Sequence, residues 1–223
     1  MVLVSFQKEF IYTKTNKTAG TSVEVFFEPY CLPPDGYEPA HYRGETISDQ
    51  GIVGFRGPDR PANALWYNHM PAARIRDYLG AEMWEKFFKF CTVRNPFDKL
   101  VSMYFFQRGR EQGHSDAPEF SQLRRDFLAW LKAGRFVGDQ DKYLIDGAVC
   151  VDYFIRYESL LDGLKEVCRK LGIGRDVAEL ARLKSQSRLA DRHFSEFYDE
   201  EARRIVAEAY AFELDHFGYG SRG

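Results

Sequence analysis

The first periodic signal along the chain is a run of β-formers at residues 9–13, which gives way to a polar Lys-Thr-Asn-Lys-Thr turn. Apolar positions resume over residues 21–28 at Val23, Phe26 and Phe27, on one helical face, so the pattern predicts strand, loop, helix. The same order returns at residues 86–93, an apolar strand that runs into Arg94, Asn95 and Pro96. Asn suits a helix cap and Pro the first helical turn, and the helix beyond sets Leu100, Val101, Tyr104 and Phe105 on one face. A third strand is expected at residues 149–157. Its helix, residues 159–171, keeps Leu160, Leu161, Leu164, Val167, Cys168 and Leu171 on the 3.6-residue period, with Gly172 placed to stop it. A last helix, about 199–212, has Ala202, Ile205, Val206, Ala209 and Phe212 as its apolar stripe.

Strands alternating with helices imply an α/β, three-layer domain with a central parallel sheet flanked by helices. Ligands of such sheets bind beyond the carboxyl ends of the strands, where the first two loops lie. The length of 223 residues fits one domain spanning 1–223. Residues 29–61 hold six of the nine prolines, so that stretch is neither a long helix nor a central strand. The region 29–66 is expected to be an irregular excursion that serves as a functional lid or substrate wall, or else a tolerated insertion.

Composition narrows the field. Lys+Arg of 31 against Asp+Glu of 33 gives a net charge of -2, too balanced to hold nucleic acid or an anionic membrane by bulk electrostatics. Any anion site must therefore be local. No run of 18 apolar residues occurs and the first residues lack a signal-peptide pattern, so no membrane span is expected. Cys31, Cys91, Cys150 and Cys168 are scattered without CxxC spacing; they read as thiols of a reducing, cytoplasmic compartment, and no metal site is expected.

The loop from Lys14 to Ser22 combines small residues at Ala19 and Gly20, hydroxyls at Thr18, Thr21 and Ser22, and two lysines, Lys14 and Lys17, ahead of a helix whose first N–H groups face back at it. An anion fits there; so does an ordinary polar turn capped by Thr and Ser. The loop is not a Walker A box, because Lys17 precedes Gly20 instead of following a second glycine, and a nucleotide kinase or GTPase is disfavoured. In the second loop Arg94 ends a strand and Ser102 lies two turns into the helix, an Arg fork and a hydroxyl able to hold a phosphate. Arg94 paired with a neighbouring carboxylate is the structural alternative.

KTAGTS at residues 17–22, after FIYT, resembles the 5'-phosphosulfate loop of the sulfotransferases that use 3'-phosphoadenosine 5'-phosphosulfate (PAPS). RNPFDKLVSMY at residues 94–104 resembles their 3'-phosphate motif, including the Arg-to-Ser separation. The likeness runs on through NHMPAARIRDYLG (68–80), FIRYESLLDGL (154–164) and FYDEEARRIVAEAYAFELDHFGY (197–219), and is closest to the carbohydrate O-sulfotransferases and their bacterial relatives. It implies a P-loop-like α/β fold and sulfuryl transfer from PAPS to an acceptor hydroxyl on a carbohydrate or glycolipid-like molecule, releasing adenosine 3',5'-bisphosphate without a metal. It further implies that Lys17 contacts the bridging oxygen, that the loop from Thr18 and Ala19 through Gly20, Thr21 and Ser22 holds the 5'-phosphate, and that Arg94 and Ser102 hold the 3'-phosphate. Tyr157 falls near the adenine and Arg188 in a polar segment that reaches the nucleotide. Where the family commonly has Pro this chain has Asn16, and a Pro there would rigidify the start of the loop. Lys14 receives no role. A catalytically silent nucleotide-binding module with the same fold is the competing reading.

A base for the acceptor proton completes the expectation. Of five histidines, His69 matches a family histidine in a His-Met-Pro context and precedes a helix at Pro71; His41 and Glu45 are the alternatives.

Overall fold

A computed structural model describes residues 2–33, 37–112, 119–180 and 192–221. The elements in chain order are β1 (Leu3–Ser5), β2 (Phe10–Thr13), α1 (Gly20–Phe27), β3 (Thr46–Ser48), β4 (Gly51–Val53), α2 (Ala72–Leu79), α3 (Ala81–Lys86) and β5 (Phe88–Val93). There follow α4 (Pro96–Gln112), α5 (Phe120–Lys132), β6 (Leu144–Ile145), β7 (Ala148–Val149), β8 (Tyr153–Arg156), α6 (Leu160–Leu171), α7 (Glu200–Ala209) and α8 (Ala211–Phe217), with short 3-10 turns between some of them. The chain divides into two compact units, Met1–Val93 with Asp139–Lys184, and Arg94–Gly138 with Ser185–Gly223.

The first unit is α/β. Its six-stranded sheet has the order β3-β4-β1-β2-β5-β8. Only β2, β5 and β8 run parallel, while β1, β4 and β3 are antiparallel neighbours, as tight turns from β1 to β2 and from β3 to β4 dictate. Alternation along the strands sends side chains to two separate cores. Leu3, Phe10, Tyr12, Val53, Phe90 and Ile155 face α1 and α6 through Val23, Phe26, Phe27, Leu164 and Val167. Val4, Ile11 and Ile52 face α2 and α3 through Ala72, Ile75 and Trp84, with Trp66 and Met70. Helix, sheet and helix thus form three layers within this unit.

Several boundaries move for physical reasons. The strand expected at 149–157 is split, because β7 pairs with β6 around a turn in which Asp146 and Gly147 both take left-handed φ. The ladder to β5 begins only at Tyr153, opposite Phe90, and just before it the Asp152 carboxylate accepts the Lys89 N–H at 2.7 Å. Residues 29–66 are not irregular throughout: β3 and β4 form a hairpin that extends the sheet, and β4 lies inside it between β3 and β1. Prolines miss this hairpin altogether, which is why it pairs. Gly51 lets it seat, since a Cβ there would come within 2.1 Å of the Val4 carbonyl oxygen.

The second unit is helical. Phe97, Leu100, Val101, Tyr104 and Phe105 of α4 pack with Leu123, Phe127 and Trp130 of α5 and with Phe194, Phe197, Tyr198, Ala202, Val206 and Tyr210. Phe127 lies at the centre, with the Tyr104, Trp130, Phe197 and Tyr198 rings 5.1 to 6.0 Å away. The helix expected over 199–212 breaks at Tyr210, which replaces the exposed Ala209 in the buried stripe.

Gly51→Ala should cost the protein at least about 2 kcal/mol, because the added methyl meets backbone and neither strand can yield without losing its partner. Urea unfolding of the variant against the parent measures this, and an unchanged midpoint would contradict the packing described.

Candidate functional site

In the first unit β2 and β5 pair with Thr13 opposite Cys91, and β5 and β8 with Val93 opposite Arg156. Parallel register brings the carboxyl ends of three strands to one sheet edge, where α/β sheets take their ligands. The chain leaves β2 there into the Lys14-to-Gly20 loop. Tyr157 follows β8 at the same edge, half-buried in a 3-10 turn.

The loop is tightly specified. Lys17 and Ala19 both take left-handed φ, 58° and 60°. For non-glycine residues this costs on the order of 1–2 kcal/mol each, and it curls successive backbone N–H groups into the kind of concavity that binds anions. Ala19 is the N-cap of α1 and no side chain caps the helix. The positive end of α1 is therefore presented to the loop with small residues, Ala19 and Gly20, in front of it. Thr18, Thr21 and Ser22 are buried, while Lys17 is half-buried.

Three contacts hold the loop in place. Thr15 Oγ1 donates to the Thr92 carbonyl of β5 and shares a 2.8 Å hydrogen bond with Thr18 Oγ1. Asn16, where the resemblance leads one to expect Pro, gives its backbone N–H to both carboxylate oxygens of Asp139 at 3.0 and 3.1 Å and its amide Nδ2 to Oδ1 at 2.7 Å. Asp139 is 1% exposed. A clamp of charge-assisted hydrogen bonds thus does here what a fixed proline ring does by covalent constraint. Lys14 Nζ reaches Glu24 Oε2 at 2.6 Å and Thr21 Oγ1 at 3.3 Å.

Glu24 and Glu28 of α1 and its flank are fully buried and bind the excursion. Arg56 Nη1 lies 3.1 Å from Glu24 Oε2 and 2.5 Å from Glu28 Oε1. The rest of its guanidinium donates to the His41 and Ala40 carbonyls at 2.8 and 2.6 Å. Arg43 Nε donates to Glu28 Oε2 at 3.0 Å. The composition-based reading of 29–66 missed this; the only signal was two acids, Glu24 and Glu28, set one turn apart on an otherwise apolar helix.

His69 also takes left-handed φ, 57°. Its Nδ1 lies 3.2 Å from the Lys14 carbonyl oxygen. A carbonyl only accepts, so Nδ1 carries the proton and Nε2 is the bare nitrogen. Burial is the main reason the imidazole pKa falls well below its usual value, and the ammonium groups of Lys14 and Lys142 push the same way. His69 is thus a neutral imidazole tied by one hydrogen bond to the loop that carries Lys17. Glu45 is engaged elsewhere, accepting the Trp66 N–H at 2.6 Å.

In the second unit Arg94 is buried, and its Nε and Nη2 both lie 2.7 Å from Asp98 Oδ2, so the carboxylate pairing foreseen as an alternative is present and fixes the guanidinium plane. Asn95 Oδ1 accepts the Phe97 N–H at 3.0 Å, capping α4 as expected. Ser102 is half-buried on α4. Arg188 lies outside the described residues. No helix among the described residues is long and apolar enough to cross a membrane. The four cysteines are unbridged, and burial raises each thiol pKa, that of Cys150 to about 11.

The strand-loop-helix geometry agrees with what the chain matches. The family model described as "Sulfotransferase family" aligns with residues 2–220, and the chain belongs to that family. A relative from Archaeoglobus fulgidus, known as an uncharacterized protein, is 27% identical over 106 residues, which are 47% of this chain and 83% of its own. No solved structure matches the chain.

Two outcomes test the site's construction. Asn16→Pro removes the N–H and the amide that satisfy a buried carboxylate, and should lower stability by about 1–3 kcal/mol by chemical denaturation; an unchanged stability would mean the clamp carries nothing. His69 has a folded pKa depressed below its unfolded value near 6.5, so its neutral form contributes stability above that pH that is lost as pH falls. The melting temperature of the parent relative to His69→Gln should therefore decline below pH 6.5, and a difference constant with pH would contradict a half-buried neutral imidazole.

Proposed function

We propose that this sulfotransferase takes its sulfuryl group from PAPS and passes it to an acceptor hydroxyl, on a carbohydrate or glycolipid-like molecule. The observation that carries the reading is the tether of His69 Nδ1 to the Lys14 carbonyl, which keeps a neutral base at the loop where the donor's phosphosulfate is assigned. Further support comes from the left-handed turns at Lys17 and Ala19 before an uncapped helix start, which suit a phosphate.

In this reading the acceptor oxygen forms a bond to sulfur as the bond from sulfur to the phosphate oxygen breaks. The acceptor's proton passes to His69 Nε2, and adenosine 3',5'-bisphosphate leaves. Such transfers resemble loose phosphoryl transfer, in which the protein mainly aligns the reactants and offsets charge on the departing oxygen. Lys17 meets that charge. The backbone and hydroxyls of Thr18, Ala19, Gly20, Thr21 and Ser22 hold the 5'-phosphate, Arg94 and Ser102 the 3'-phosphate, and Tyr157 stands by the adenine. Asp98 keeps the Arg94 fork in one plane, which suits bidentate phosphate binding. The excursion within 29–66, latched to α1 through Arg43 and Arg56, forms one wall on the acceptor side.

The experiment is PAPS turnover, followed by release of adenosine 3',5'-bisphosphate, over a panel of hydroxylated acceptors. Lys17→Ala should lower kcat about 10²- to 10³-fold with product-nucleotide affinity largely kept. Arg94→Ala should weaken that affinity about 10- to 100-fold, and His69→Ala should cost about 10²- to 10⁴-fold in kcat. Tight nucleotide binding with no turnover on any acceptor would instead mark a silent module, and full activity in Lys17→Ala would remove its assigned role.

A further inference from the structure

Lys14 is the one cation of the loop to which the family resemblance gives no part. It is 5% exposed. Its aliphatic stem lies over Gly20, where a Cβ would come within 2.8 Å of Lys14 Cε and 2.9 Å of Cγ, so any side chain at the start of α1 would displace the lysine above it. Its ammonium sits 3.3 Å from Thr21 Oγ1 and 2.6 Å from Glu24 Oε2, and its carbonyl oxygen faces His69 Nδ1 at 3.2 Å.

The direction of each hydrogen follows from chemistry. An ammonium has donors and no acceptor, so Thr21 Oγ1 accepts from Lys14 and must turn its own O–H elsewhere. Thr21 is at the second position of α1, where backbone N–H groups face the loop and an anion would collect. A hydroxyl there with its proton turned away from the ammonium becomes a donor to that anion. Glu24 keeps the ammonium from serving as the anion's direct counter-charge, since it holds Nζ at the shorter distance. On the other side, the Lys14 carbonyl dictates which imidazole nitrogen is bare.

We propose that Lys14 is a positioning residue for both reactants: through its ammonium it makes Thr21 a donor to the 5'-phosphate, and through its carbonyl it sets His69 with Nε2 toward the acceptor. This rests on the sulfotransferase reading, and it gives the residue a task distinct from that of Lys17. Lys14 acts through Thr21 and His69, and touches no reacting atom. Removing its charge is tolerable to the fold, because Arg43 and Arg56 remain against Glu24 and Glu28.

The test is a double-mutant cycle read by adenosine 3',5'-bisphosphate affinity, with Lys14→Met and Thr21→Val. Each single variant should weaken binding about 5- to 10-fold, and the double variant should be no weaker than either, because the lysine acts through the hydroxyl. Additive losses, or parental affinity in Lys14→Met, overturn the proposal. If Lys14→Met does not fold, Thr21→Ser and Thr21→Val carry the same question: Ser should keep the affinity and Val lose it, and equal affinities overturn it. Nitrogen NMR of His69 in the parent at neutral pH tests the second half, with protonated Nδ1 expected and the opposite tautomer decisive against it. A parent that binds no adenosine 3',5'-bisphosphate overturns the sulfotransferase reading and the Thr21 half together, whereas normal parental binding with additive variants removes only the role of Lys14.

Discussion

The parallel pairing of β2 with β5, and of β5 with β8, is the constraint from which the functional end of the first unit follows. Register fixes Thr13 beside Cys91 and Val93 beside Arg156, so the chain must leave three strands at one edge. A shift by one residue would turn Tyr12 and Phe90 out of their core and send Ile11 into it, which the two separate clusters forbid. The antiparallel half of the sheet, β1, β4 and β3, adds width to the cores and holds the excursion, and its strands need no crossover helix.

Strain gathers at that edge. Among the described residues five that are not glycine have left-handed φ, and three of them, Lys17, Ala19 and His69, are residues singled out for donor binding or catalysis. Glu9 and Asp146 sit in turns, where such a conformation is ordinary. Conformations of this kind persist only where the surroundings over-determine them, and here the surroundings are the Thr15 bond to Thr92, the Asp139 clamp on Asn16 and the Lys14 bond to Glu24. Buried ion pairs such as Arg56 with Glu24 and Glu28 are weak contributors to stability, because desolvation offsets most of the attraction. Their use here is directional: one guanidinium with four partners fixes residues 40, 41 and 56 against α1 in a single arrangement.

Much of this was legible in the sequence because it rests on periodicity and local chemistry. The strand-loop-helix at Phe10 to Phe27, the cap at Asn95, the helix stop at Gly172 and the α/β class all depend on short-range patterns. The left-handed residues did not announce themselves, since Lys and Ala carry no preference for that region and His, though enriched there, does so too weakly to mark one position. Nor did Asp139 or Arg56, whose partners are 123 and 32 residues away. The hairpin inside 29–66 was hidden by the prolines around it, and the third strand was drawn too long because an apolar run does not record where a partner begins. Arg94 was readable both as an anion fork and as half of an ion pair; the Asp98 contact gives the second without removing the first.

Sulfuryl transfer asks little covalent chemistry of a protein and much alignment, and that bears on how a chain with a net charge of -2 can act on a strongly anionic donor. Bulk attraction is not on offer, so the attraction has to be local and mostly dipolar. Directed hydrogens supply it: an uncapped helix start, two backbone turns that aim N–H groups, and hydroxyls whose proton direction is set by neighbours. A lysine neutralised by Glu24 is more useful in such a site than an unopposed one, because an unopposed ammonium would grip donor and product nucleotide equally, and uniform binding does not speed the chemical step. In the proposed reading one lysine meets the departing oxygen and a second is spent on orientation, which would divide binding from catalysis within one short loop.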